Sequence, residues 1–497
     1  MESARSLYKN DIDFAALALQ SRDFAKHLNK NSQLDFTDPA AVRQLTTTLL
    51  QQDFHLKVEI PEDRLCPPVP NRLNYILWLQ DLLDSTAGGL HEGYDRDRDV
   101  FGLDMCVMSL SNFLIMSDKV QWDGMYRHLP PSGLRDTATV EFCSNRYVFE
   151  SEDLKYPLIN LTDIDSNNIR TSQHNVALNN LESRIQVVHS DPTGPLFPLD
   201  KLGCQNLDFT MCNPPFYTSS AELKQSAEQK EREPFSVSVT SSTSRAKQLY
   251  TTRPIPRAYR SVLTYMKACT GAEMEMVTSG GEVAFVKQMI DESLQLRDRI
   301  QWYTSMLGKL SSINVLVEAL IKHGVTNFAV TEFEQGSKTK RWAVAWSWGD
   351  RRPAMHIARG IPGCPKSLLP FPTDYTFTMP PGTSIDATTA TINAELSSLP
   401  WFWAWDQTRS SGTGFAAENV WSRFARRKMK LAGEEDAARL KVIPAQVALG
   451  VRLQTRLVRG QKPDEEEVRV LVRWAQGTDT VLFESFCGMV KRKLESK

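Results

Sequence analysis

The sequence predicts an α/β chain built on a doubly wound, mostly parallel sheet, with a helical module ahead of it and a small α+β region behind it. Three observations carry that reading. Apolar runs at Leu158 to Asp163, Ile185 to His189 and Leu207 to Cys212 have the length of buried strands, and a helical stretch from Ser166 separates the first two. Each run ends in polar residues: Asp163 and Asp165, then Ser190-Asp191-Pro192-Thr193, then Asn213-Pro214-Pro215-Phe216. Open α/β sheets bind ligands at such carboxyl ends. Finally, 497 residues exceed what one hydrophobic core organises, so two or three domains are expected.

Composition narrows the class. Hydrophobic residues make up 41% and charged residues 24%, the profile of a soluble globular protein. Lys+Arg 58 nearly balances Asp+Glu 59, so any surface for nucleic acid has to be a local patch. The eight cysteines are scattered without a C-x-x-C pair, which argues against a zinc site and a disulfide framework and for reduced thiols inside a cell. Acids within the first fifteen residues and the lack of a long apolar run give no signal peptide and no membrane span.

In chain order, residues 1–85 read as a helical module. Asp11 to Leu28 carries a loosely helical apolar pattern; Asp38-Pro39 opens a helix with Val42, Leu45 and Leu49 inward; Pro70-Asn71 opens a third with Leu73, Ile76, Leu77 and Leu83 inward. Residues 86–348 form the main α/β domain. Val100 to Met108 reads as its first strand, with an acid at Asp104 and no glycine until Gly124. A polar, aperiodic stretch follows as an insert near 106–155. Ser166 is the expected N-cap of the helix after Asp163, while Asp165 divides between capping and ribose binding. A second insert, near 217–268, is rich in Ser, Thr, Lys and Arg, including Arg245 and Lys247, as a disordered insert or an RNA-ordered loop would be. Beyond Gly280-Gly281 come a helix to Leu296, a strand Ile300 to Leu307, a helix Ser311 to His323, and strands Phe328 to Phe333 and Trp342 to Trp348. Residues 349–399, rich in Pro, Gly and Thr, read as a linker. Residues 400–497 read as an accessory α+β domain with a basic helix from Asn419 to Leu431, strands Val442 to Arg459 and Glu467 to Trp474, and a closing helix Val481 to Leu494.

The tract with the most definite chemistry is Asn213-Pro214-Pro215-Phe216. Two prolines remove two backbone donors and forbid helix, so the chain leaves the strand stiffly. The Asn213 side-chain oxygen and the Pro214 carbonyl can together accept both hydrogens of one planar –NH2 group, and Phe216 can stack on a base lifted out of its strand. The corner therefore suits methylation of an exocyclic amine; it is also a sequence that a plain proline-stiffened turn would use.

Longer tracts give a family resemblance. Ala41-Val42-Arg43-Gln44-Leu45-Thr46, Arg72-Leu73-Asn74-Tyr75-Ile76, Cys212 to Phe216, Ser293-Leu294-Gln295-Leu296, Trp302 to Lys309 and Arg341 to Ser347, in this order, resemble the U6 small nuclear RNA adenine-N6 methyltransferases, a family with a bacterial branch acting on ribosomal RNA. The resemblance covers roughly residues 5 to 348. It implies a Rossmann-like class I sheet, S-adenosylmethionine as donor, adenosine in a structured RNA as acceptor, no metal, a monomer, and a nuclear or cytoplasmic location. Position by position, it implies that Asn213, Pro214, Pro215 and Phe216 hold the adenine. Arg72, Asp104, Asp163 and Asn213 would contact the cofactor, Asp163 through its ribose, with Asp191 and Thr193 near its adenosyl part. Arg5 matches an RNA-contacting arginine; Lys9, Arg245 and Lys247 join it as expected RNA contacts, and the C-terminal region is either a counterpart of the RNA-binding region of animal relatives or a small α+β domain with an ordinary solvated basic helix. The chain departs from the family after Asp104, where Cys106 and Met108 replace two glycines of the cofactor loop and the distance to Asp163 is longer. That departure leaves a second reading open, an RNA-binding protein without catalysis.

Overall fold

The computed structural model describes residues 7–8, 12–36, 38–64, 66, 68–88, 100–105, 159–219, 222, 276–335, 339–425, 427, 443, 445–459 and 466–495. Arg5, Lys9, Arg245, Lys247 and both inserts after residue 105 and residue 222 lie outside the described residues. The chain divides into two compact units, one of residues 1–77, 99–316 and 332–343, the other of residues 78–98, 317–331 and 344–497.

The first unit begins with α1 (Phe14–Gln20) and α2 (Arg22–Ala25), not the single helix expected over Asp11 to Leu28. Ser21 is the reason: its backbone is extended and its hydroxyl caps the Phe24 amide, so one helix stops and the next starts there. Asp38 caps α3 (Pro39–Phe54), with Pro39 in the first turn as the sequence suggested. Helix α4 (Val69–Thr86) follows, and it is buried along nearly its whole length, Arg72, Asn74 and Gln80 included.

Strands β1 (Gly102–Asp104), β2 (Ile159–Asp163), β3 (Ile185–His189), β4 (Leu207–Met211) and β5 (Ile300–Leu307) lie side by side and parallel, in the order β3-β2-β1-β4-β5. Gly102 lets this sheet close, because a Cβ there would sit 2.2 Å from the Phe209 ring. Helix α5 (Ser166–Leu178) connects β2 to β3, and its N-cap is Asp165, whose carboxylate accepts the Asn167 amide at 2.7 Å, in place of the expected Ser166. A short α6 (Leu199–Leu202) precedes β4, and α7 (Gly281–Leu296) precedes β5. Helix α8 (Leu310–Lys322) and strands β6 (Asn327–Gln335) and β7 (Thr339–Ser347) cross the division between units, and the complete strand order is β3-β2-β1-β4-β5-β7-β6-β8. This is the doubly wound order the sequence suggested: chain order reverses between β1 and β4.

The second unit holds the largest difference from the sequence expectation. Residues 349–399, read as a linker, carry α9 (Met355–Ala358), β8 (Arg359–Gly360), β9 (Asp374–Thr378) and α10 (Ile385–Ser397). Strand β9 is an edge of a five-stranded antiparallel sheet ordered β10-β11-β12-β13-β9, completed by β10 (Phe402–Asp406), β11 (Ser411–Ala416), β12 (Leu449–Arg459) and β13 (Glu466–Gln476). The prolines and glycines punctuate turns between these elements, while Phe377, Ile392 and Leu396 enter one core with Val451, Val470, Trp474 and residues of α11 (Thr480–Glu495). Of the basic helix expected over Asn419 to Leu431, residues 419–422 are not helical, helix begins at Arg423, and residues 426 and 428–431 lie outside the described residues.

Candidate active site

Strand order reverses between β1 and β4, and Asp104, Asp163 and Asn213 stand at the carboxyl ends of the strands on either side of that reversal. Asp104 ends β1, level with Met211 of β4, and is 1% exposed. Asp163 ends β2, two positions past the partner of Asp104. The Ser190 amide donates to the Asp163 carbonyl at 2.7 Å, so the Ser190 to Thr193 loop begins beside it. Asn213 lies two residues past the end of β4.

The Asn213 corner is fixed from both sides. Ahead of it, the Cys212 carbonyl accepts the Met306 amide at 2.8 Å, tying the corner to β5. The Cys212 amide donates to the Tyr75 hydroxyl at 3.4 Å, and that hydroxyl lies 2.6 Å from Thr304 Oγ1, which donates to the Thr210 carbonyl at 2.6 Å. Because the Thr304 proton is directed to Thr210, the Tyr75 hydroxyl donates to Thr304, and one ordered chain of hydrogen bonds holds β4, β5 and α4 together. Burial raises the Tyr75 phenol far above the usual tyrosine range, so it remains the neutral donor that this chain requires. Behind the corner, the Tyr217 amide donates to Met276 O at 2.9 Å and Thr278 N donates to Tyr217 O at 3.0 Å. Pro214 is buried, whereas Asn213, Pro215 and Phe216 are partly open. The guanidinium carbon of Arg341 sits 5.7 Å from the Phe216 ring centroid.

The acids differ in their surroundings. Asp163 accepts the Asp165 amide at 2.7 Å and the Asn168 side-chain amide at 3.2 Å. Burial nevertheless pushes its carboxyl above the ordinary aspartate value. Arg64 reaches Asp165 at 3.0 Å and steadies the same loop. Asp191 is exposed and accepts both the Thr193 amide at 2.9 Å and its hydroxyl at 2.8 Å; the backbone bond holds its carboxyl below the ordinary value. Asp191 and Thr193 thus form their own turn at the end of β3. Arg72 is buried in the first turn of α4, three residues ahead of Tyr75 and so on the same helix face. Asn71 Oδ1 and Asn74 Oδ1 beside it are buried acceptors without a hydrogen bond among the described residues.

Sequence reasoning missed Tyr75, Thr304 and Arg341 as parts of this site. Tyr75, Thr304 and Arg341 stand inside the tracts that carry the resemblance, but what they do becomes visible only once α4, β5 and β7 are seen around the corner. Among the described residues no group of three or more His, Cys, Asp or Glu is placed to hold a metal, and no helix is long and apolar enough to cross a membrane.

Comparison with known proteins shows what the chain is similar to. A family described as RNA methyltransferase matches residues 2–111 and 158–350, passing over 112–157. A Schizosaccharomyces pombe protein named U6 small nuclear RNA (adenine-(43)-N(6))-methyltransferase is 28% identical over 471 residues, 94% of this chain and 96% of its own length. The mouse RNA N(6)-adenosine-methyltransferase METTL16 is 34% identical over 70% of this chain, which spans about half (51%) of that relative's length. A solved human catalytic domain of the same name, in complex with the MAT2A 3'UTR hairpin 1, is 33% identical, covering 70% of this chain and 95% of its own, with a TM-score of 0.48.

Proposed function

The chain belongs to this RNA methyltransferase family, and we propose that it methylates N6 of an adenosine in U6 small nuclear RNA, with S-adenosylmethionine as donor. The observation that carries the reading is the rigid Asn213 corner placed across the strand-order reversal from Asp104. The family match supports the reaction class, and the name of the Schizosaccharomyces pombe relative, similar over nearly its full length, supports the acceptor.

The described residues supply acids and acceptors suited to the donor, while Cys106 and Met108, which replace the two glycines of the cofactor loop, lie outside them. A cofactor with a cationic amine, two ribose hydroxyls and an adenine needs acids and acceptors at the edge of β1 and β2. Asp104 and Asp163 stand there, with the buried acceptors of Asn71 and Asn74 on α4. S-adenosylmethionine supplies an electrophilic methyl group on a sulfonium centre. Asp163 would hold the ribose hydroxyls, and Asp104 and Arg72 would hold the methionine end.

At the acceptor side, the Asn213 side-chain carbonyl and the Pro214 backbone carbonyl accept the two amine hydrogens of a flipped adenine. That pair fixes the plane of the amine and aims its lone pair out of the corner toward the β1 edge. The proton lost on methyl transfer leaves along the hydrogen bond to one of these oxygens toward solvent. Phe216 supplies a face for the base. No strong base is required, because orientation and near-attack placement account for most of the acceleration.

The test is nucleoside analysis of a U6-derived RNA hairpin after incubation with the full chain and S-adenosylmethionine. A single N6-methyladenosine per hairpin is expected; RNA that is bound but unmodified would overturn the reading and favour a binding protein.

A further inference from the structure

Glu282 is a buried carboxylate that the mechanism above leaves without a role. It stands in the first turn of α7, 3% exposed, where the helix N-terminus favours negative charge. Its two oxygens are used in opposite directions. Oε2 accepts the Gly308 amide at 2.7 Å, and Oε1 accepts the Ser312 hydroxyl at 2.6 Å. One acid therefore pins the turn between β5 and α8 to the start of α7.

That turn is where Phe216 rests. A Cβ built on Gly308 would lie 2.9 Å from Phe216 Cδ1 and 3.3 Å from Cε1, so the ring edge occupies the space that any side chain at 308 would take. The other end of the same residue is confined too: a Cβ on Gly281, adjacent to Glu282, would lie 3.4 Å from the Phe216 carbonyl and 3.1 Å from Thr218 Cγ2. The Phe216 ring is held at its edge by Gly308 and capped by Arg341, and Glu282 fixes the Gly308 backbone.

We propose that Glu282 and Gly308 are positioning residues for methyl transfer: the Glu282 carboxylate holds the Gly308 amide, and the missing Gly308 side chain gives Phe216 the seat from which it stacks on the acceptor base. This rests on the adenine-N6 reading of the Asn213 corner. Neither residue touches the reacting atoms; both act through the orientation of one ring, where a misplacement of about 1 Å costs on the order of 100-fold in rate.

The experiment uses the full chain and four variants, Gly308→Ala, Glu282→Ala, Glu282→Gln and Phe216→Ala. Two readouts separate this inference from the reaction it rests on. Fluorescence of a U6-derived hairpin with 8-vinyladenosine at the acceptor position, a fluorescent adenine that keeps the 6-amino group, reports stacking whether or not methyl transfer occurs. Methyl transfer to the unmodified hairpin, split into kcat and KM for each substrate, reports chemistry. Wild type is expected to quench the probe, and Phe216→Ala, Gly308→Ala and Glu282→Ala to lose that quenching. In Gly308→Ala kcat should fall on the order of 100-fold with both KM values and the melting temperature little changed, while Glu282→Ala, which also leaves the Gly308 amide and the buried Ser312 hydroxyl without their acceptor, should lower kcat and the melting temperature together. Glu282→Gln retains an oxygen for the Gly308 amide and should recover most of both signals. Absence of quenching by wild type, or unaltered quenching and kcat in Gly308→Ala, overturns the inference. So does a loss in every variant that merely tracks a fall in melting temperature. A wild type that quenches the probe but yields no N6-methyladenosine counts against the reaction and leaves the seat of Phe216 upheld.

Discussion

The hydroxyl of Tyr75 accepts the backbone amide of Cys212 at 3.4 Å, one residue ahead of the Asn213 that opens the corner. A helix from the N-terminal part of the chain thereby sets where the acceptor corner stands, because the same hydroxyl donates to Thr304 on the neighbouring strand.

Tyr75→Phe should therefore impair both stability and turnover. It leaves the buried Cys212 amide and Thr304 oxygen without the partner they have in the native chain, at a cost of about 1–3 kcal/mol. Thermal unfolding checks the first effect, and kcat at saturating donor and RNA checks the second. A variant with native melting temperature and native kcat would show that the chain of bonds is incidental.

Asp163 gives the site a pH dependence of definite sign. Burial raises its pKa in the free protein, and ribose hydroxyls donating to the carboxylate stabilise the ionised form and lower that pKa on binding. Affinity for S-adenosylmethionine should thus be full above the raised pKa of the free protein and decline as pH falls through it. Asp163→Asn should flatten this profile and cost about tenfold in affinity, the loss of one charge-assisted bond. Calorimetric titration over a pH series measures both; a steeper loss at high pH would reverse the sign.

In the second unit, the backbone of Gly414 lies under Trp401, so that a Cβ there would come within 2.4 Å of the ring. Trp401 is buried and stacked on Trp403, with centroids 5.5 Å apart, so the ring has little room to retreat. Gly414→Ala should destabilise this sheet by about 1–3 kcal/mol, as overpacked cores generally are. Chemical denaturation followed by tryptophan fluorescence reads it directly, and an unchanged midpoint would refute the packing argument.

How far the sequence went is instructive at particular residues. Ile300 to Leu307 was legible because a parallel strand buried over nearly its whole length reads as a largely apolar run between clear breaks. The corner was legible because Asn213 and two prolines follow such a run. The 349–399 stretch was not, since Pro and Gly spacing marks turns equally in a linker and between short strands, and only long-range pairing of Tyr375 and Phe377 with Val472 and Val470 separates the two. The seat of Phe216 was hidden for a similar reason: Glu282 and Gly308 are 26 residues apart and meet only through tertiary packing. Truncation at residue 400 would accordingly part β9 from β13 rather than remove an intact accessory domain, and RNA binding by this region is better tested with point substitutions at exposed Arg456 and Arg469. Charge removal there should weaken RNA affinity and flatten its salt dependence.

The most direct measurement is a single-turnover methylation assay of Asn213→Ala beside wild type, on one U6-derived hairpin, with RNA affinity determined in parallel. Methyl transfer is expected to be abolished while RNA affinity stays within about threefold of wild type, because Asn213 orients one amine and contributes little to gripping the RNA. Methyl transfer retained at the wild-type rate would contradict the assignment of the corner.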